Sequence, residues 1–150
     1  MDRIPAGRWR AANDQARTIA GNLHVAPPEA GSDIVSLAFG QGITVRARPA
    51  TLPAEDADVR TRLDQARKLL GAGPADFPTH FTVIQETVAM SAPQGGLCGG
   101  LRTRMLAVVG MVDPEGRRLL RLAAFHGPPP GQPMAGELPA CFTYDFVQDR

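Results

Sequence analysis

With 150 residues, of which 43% are hydrophobic and 21% charged, the chain is long enough for one domain burying roughly 68–70% of its unfolded surface, and too apolar for wholesale disorder. Sixteen basic residues against fifteen acidic ones give a net charge of +1, which offers no electrostatic footing for nucleic acid or an acidic membrane surface. No run approaches the roughly 20 apolar residues that span a bilayer as a helix.

Lys68 is the sole lysine, and the excess of Arg, Ala, Gly and Pro looks like the coding bias of a GC-rich bacterium. The first thirty residues lack a charged–apolar–small leader pattern, which leaves two expectations: a cytosolic chain, or a secreted one whose leader has been replaced by Met1.

Gly7-Arg8-Trp9 opens the first candidate strand. Arg17 to Val25 reads as the next, with Ile19, Leu23 and Val25 on one face, Thr18, Asn22 and His24 on the other, and Gly21 as a bulge. A Pro/Gly loop over 26–32 leads to Asp33–Phe39. Gly40-Gln41-Gly42 then turns the chain into Ile43–Arg48, a hairpin signal. From about 53 to 70 the period changes. Val59, Leu63, Ala66 and Leu70 form one apolar stripe, Glu55, Asp56 and Asp58 crowd the first turn, and Arg67 and Lys68 crowd the last before Gly71. This charge order complements a helix dipole, and Asp58–Arg62 and Asp64–Lys68 add i,i+4 pairs.

After a linker over 72–78, Phe81–Met90 returns to strand composition, and Pro93-Gln94-Gly95-Gly96 breaks it. Leu101–Val112 and Arg117–His126 are joined by the turn Asp113-Pro114-Glu115-Gly116. The proline-rich segment 127–133 cannot donate enough backbone hydrogen bonds to lie inside a sheet. Cys141–Val147 closes the chain, with Phe142, Tyr144 and Phe146 on one face. The expected fold is mainly β (α+β): a single β-rich domain over 1–150, an antiparallel barrel or strongly curled sheet of seven or eight strands with one long helix.

Cys98 and Cys141 enclose about forty residues and stand at strand edges, where a bridge of about 4 kcal/mol is easily made. Two buried thiols and a reactive thiol are the other readings; a nucleophilic cysteine needs a base such as His80 or His126 close by. Gly95-Gly96-Leu97-Cys98-Gly99-Gly100 lacks the Gly-Lys-Ser/Thr ending of a phosphate loop and precedes a strand, so its glycines are expected to serve a tethered turn. His24, His80 and His126 match no metal-ligand spacing, so neither a metal nor a cofactor is expected. Glu86 is a lone acid in a strand. Arg46 with Arg48, and Arg102 with Arg104, each point one way at period two. Were the two strands neighbours, the four guanidinium groups would form a patch for a carboxylate or phosphate, or for a partner; a solvated outer face is the ordinary reading.

Gly7-Arg8-Trp9 resembles the Gly-x-Trp opening of lipocalin barrels, although a tryptophan capping the core explains it equally well. A broader likeness rests on residues 16–23, Leu97-Cys98-Gly99, Met105-Leu106-Ala107-Val108, residues 120–129 and Cys141-Phe142-Thr143-Tyr144. In this order they resemble a group of small, uncharacterised proteobacterial proteins made with a signal peptide, in which a Leu-Cys-Gly block and a late Cys-x-x-Tyr block recur. The resemblance implies export to the periplasm or beyond and pairing of Cys98 with Cys141, and it implies no activity. Here Ala140 stands where a second Leu precedes the final cysteine in that group. The functional expectation is an extracytoplasmic, barrel-like binding protein for an unknown small molecule, envelope component or partner protein. A sub-version is a protease or lysozyme inhibitor acting through the 127–133 loop. The alternatives are a hydrolase with a His/acid site, or a structural interaction module.

Overall fold

Period-two alternation resolves into eight strands: β1 (Gly7–Ala11), β2 (Leu23–Val25), β3 (Val35–Phe39), β4 (Ile43–Pro49), β5 (Thr79–Val88), β6 (Thr103–Val112), β7 (Arg118–His126) and β8 (Ala140–Gln148). The structure, a computed structural model, describes residues 4–50, 55–72, 78–127, 136 and 139–148. Each strand pairs antiparallel with the next, and β1 returns to β8, so the sheet closes on itself as an up-and-down barrel. Closure leaves no full-length free edge, which is how a small sheet of this kind avoids edge-to-edge association.

The inward positions of the strands are apolar and large. Leu23, Leu37, Ile43, Phe81, Leu106 and Leu122 are at most 1% exposed, and Tyr144 and Phe146 are completely buried. The Phe146 ring lies 6.0 Å from that of Phe39 across the interior. Trp9 closes over this core with its indole N–H donating to the Pro5 carbonyl at 3.2 Å. Side chains therefore fill the barrel axis, as eight-stranded barrels of narrow bore commonly do.

One helix, α1 (Ala57–Leu70), leaves the barrel between β4 and β5. It begins later than the expected 53 because Asp56 keeps an extended backbone and its carboxylate accepts hydrogen bonds from the Asp58 and Val59 amides; residues 53 and 54 lie outside the described residues. Gly71 ends it in the left-handed region. Ala66 and Leu70 pack on Met105, Ala107, Val109, Ala123 and Phe125, which point outward from β6 and β7, so the helix flanks the barrel. Arg121 on β7 fixes its C-terminal end. The guanidinium makes two hydrogen bonds to Asp145 on β8, at 2.8 and 3.1 Å, and a third to the Leu70 carbonyl at 3.1 Å.

The expected strand over 17–25 is half helical. Ala16–Ala20 forms one π-helical turn, and only Leu23–Val25 is strand. Asn13 explains the difference: its side-chain oxygen accepts from the Ala16 amide and thereby starts the turn, a local bond that competes with strand pairing. The turn buries Ala16, Ile19 and Ala20 over one end of the barrel. Phe142 likewise does not join Tyr144 and Phe146 inside. An extra residue on β8 shifts the register opposite Ala123 and Phe125, and Phe142 is left 37% exposed.

Candidate functional site

Two ends and one flank of the barrel carry features beyond packing. The end covered by the π-helical turn is also closed by the β5–β6 connection. There Leu97 is fully buried and Cys98 nearly so, and both belong to the barrel core. Cys98 is joined to Cys141 at the start of β8 in a disulfide with Cα atoms 5.2 Å apart. Short bridges Gly96–Gly99 and Cys98–Leu101 shape the loop, with Gly95 and Gly99 at positive φ. The glycine-rich block is thus a tethered turn, as its sequence suggests.

A register shift aims Glu86 into this end. One extra residue on β5 between the partners of Arg46 and Ala47 lets Val83 and Glu86 both face inward. The carboxylate accepts from the Leu97 amide at 3.1 Å, the Thr103 amide at 3.2 Å and the Thr103 hydroxyl at 2.7 Å. A Cβ at residue 96 would lie 2.7 Å from Oε2, so any larger residue than Gly96 there would push the carboxylate from this position. Tyr144 donates its hydroxyl to the Leu97 carbonyl at 2.5 Å. Burial, reinforced by the Glu86 charge, raises the Tyr144 pKa far above the ordinary phenol value and keeps that proton in place. Nothing in the sequence distinguished Glu86 from a solvated strand acid, because its role depends on the bulge.

The opposite end is different. Ile4, the 26–35 connection, Pro49 and Phe81 surround a cleft of about 600 Å³, within the size range of small-molecule sites. Ala26, Pro28, Ile34 and Val35 supply apolar walls, and Glu29 and Asp33 supply the only charged side chains among the described residues that line it. Asp33 also meets Arg48 at 3.3 Å on the outer surface.

The candidate arginines do not converge. β5 lies between β4 and β6, so the condition for a shared patch is not met. Arg102 precedes β6, and Arg104 occupies a register shift beside Gly127 near the plugged end, whereas Arg48 stands at the other end of β4. The histidines are equally scattered: His24 is exposed on β2, His80 begins β5 near the cleft end, and His126 ends β7 near the plug. With Cys98 oxidised and His80 and His126 at opposite ends, no Cys–His pair is assembled. Among the described residues no group of three or more His, Cys, Asp or Glu side chains is arranged to hold a metal. No helix there is long and apolar enough to cross a membrane. Residues 128–133 of the proline-rich loop lie outside the described residues.

His80 is 5% exposed and faces outward from β5 opposite Ala107, at the margin of the helix-covered face. Its Nε2 has no hydrogen-bond partner among the described residues. Burial lowers its pKa below 6.5, against the opposing pull of the Pro78 carbonyl. The folded protein therefore holds this imidazole neutral, while the unfolded chain takes up a proton as the pH falls through about 6.5. Stability is expected to be fully present above that pH and to decline below it until the folded imidazole itself titrates, by about 1.4 kcal/mol per unit of depression. Urea unfolding at pH 7.5 and 5.5 checks this: His80→Asn should lose less stability between the two than the wild type, and an equal loss would assign the decline to other groups.

No protein-family model, curated protein or solved structure matches this chain.

Proposed function

We propose that this protein is an extracytoplasmic binding protein that receives its ligand in the cleft at the end opposite the plug rather than along the barrel axis. The carrying observation is the cleft of about 600 Å³ itself, set beside an interior already filled with side chains. The disulfide supports a location outside the reducing cytosol, such as the periplasm or beyond, as does the likeness to exported proteobacterial proteins. Apolar walls with two carboxylates, and no basic side chain among the described residues that line the cleft, suit a small amphiphile with an apolar body and a cationic head.

Calorimetric titration with dodecyltrimethylammonium and with dodecanoate, both below their micelle thresholds, tests the reading. The cation should bind at least tenfold more tightly, and Ile34→Arg, which places bulk and positive charge in the cleft wall, should abolish binding. Equal affinity for the two surfactants, or binding insensitive to Ile34→Arg, would overturn it.

A further inference from the structure

The outward side of β1, β2 and β3 forms a shallow trough beside the seam where β1 meets β8 at Arg10 and Val147. Strand pairing sets its rows. Arg8 stands opposite His24 and His24 opposite Ala38, while Trp9, Leu23 and Phe39 next to them point into the core. Residues two apart on one strand lie about 7 Å from each other on the same face, so Arg10 follows Arg8 and Asn22 follows His24. Two adjoining depressions result, of about 530 and 500 Å³, which share Arg10, Asn22 and Gly40. Arg17 on the π-helical turn lines the second, so Arg8, Arg10 and Arg17 run along the trough above a low floor of Ala38, Gly40 and Gly21.

These arginines and His24 are exposed, and no carboxylate is among the described residues that line either depression. Arg10 has an interaction of its own. Arg17 meets Asp14 at 3.4 Å in a pair exposed at both ends, which holds the guanidinium only weakly. Arg8 directly opposite His24 sets two basic groups face to face, an arrangement that costs stability when both are charged unless an anion stands between them. Asn22 commits its side-chain oxygen to the Ala11 amide at 3.0 Å, so its NH2 is the group it can offer a ligand. The trough is therefore a row of donors, and its cations are spread too far along the strand for one compact anion to meet them all.

We infer that this trough binds an acidic polysaccharide, with carboxylates of its sugars on Arg8 and Arg17 and hydroxyls on Asn22 and His24. The guanidinium fork matches a carboxylate through two parallel hydrogen bonds. Trp9 and Phe39 are buried and offer no ring for a nucleobase to stack on. No exposed large apolar side chain lines the trough, so nothing there would enter a lipid layer. An extended, hydroxylated chain with repeated negative charges is what remains. This ligand is opposite in charge to the one proposed for the cleft, and the two sites share no residue.

Calorimetric titration of the full, disulfide-bonded chain with hexagalacturonate in low-salt buffer tests this, with uncharged maltohexaose as the control. The expected result is binding of the acidic sugar alone, weakened at least tenfold when Arg8→Gln and Arg17→Gln are combined. Arg8→Gln by itself, at a side chain that makes none of the fold's hydrogen bonds among the described residues, should weaken it severalfold. Arg60→Gln with Arg102→Gln removes the same charge from α1 and from the segment before β6, and should bind as the wild type does. No binding of hexagalacturonate, equal binding of maltohexaose, or an equal loss in the Arg60/Arg102 variant would overturn the inference. So would tighter binding of a thymidine dodecamer or of phosphatidylglycerol vesicles, which would give the trough to nucleic acid or to a membrane. Surfactant binding at the cleft, present or absent, leaves this result unaffected.

Discussion

Replacing Cys98 and Cys141 together by serine is expected to lower stability by about 4 kcal/mol, the loop-closure entropy released when a bridge across 43 residues is absent. For a chain of this size the same loss is a fall in melting temperature of roughly 8–16 °C. The two residues sit where the bridge joins independent parts of the structure, the loop that plugs the barrel and the start of β8. Dithiothreitol added to the wild type should reproduce the double substitution, and calorimetry with and without reductant measures both. A difference under about 1 kcal/mol would mean that Glu86 and Tyr144 hold the plug unaided.

Glu86→Leu is the second large effect. It removes one side-chain acceptor and strands three donors, the amides of Leu97 and Thr103 and the Thr103 hydroxyl, all on fully buried residues. A buried donor left without a partner costs about 1–3 kcal/mol, so the variant should lose about 3–5 kcal/mol in urea unfolding at unchanged m-value. Glu86→Gln, which keeps one acceptor oxygen, should recover roughly half. A loss confined to a few tenths would show that water replaces the carboxylate in the plug.

The two cysteines and Glu86 mark how far the sequence could be read. The cysteines were legible because spacing and context alone restrict what two isolated cysteines in strand-edge positions do. The hairpins were equally clear where period two ran unbroken, as in Val35–Phe39 with Ile43–Pro49 and in β6 with β7. Reading failed wherever one extra residue changed the phase. At Glu86 a bulge turns a strand acid inward, and at Phe142 another leaves an aromatic outside. Over Ala16–Ala20 one asparagine side chain diverts an apparently alternating segment into a helical turn. Glu86 is held by Thr103, 17 residues further on, which no local pattern encodes, whereas the turn after Asn13 rests on a local side-chain bond that period-two reading does not weigh. The arginine pairs failed for a topological reason: alternation within a strand reports its face, and the identity of the neighbouring strand has to come from the fold.

The wide separation of the seam's partners sets an order of assembly. Seven of the eight ladders join consecutive strands and can zipper as the chain emerges, hairpin after hairpin, at little entropic cost. The eighth brings Arg10 to Val147 and can form only when everything between them is in place. Ring closure is thus expected to come last in folding and to open first in unfolding. A nascent molecule that has not yet shut presents the full length of β1 and β8 to its surroundings.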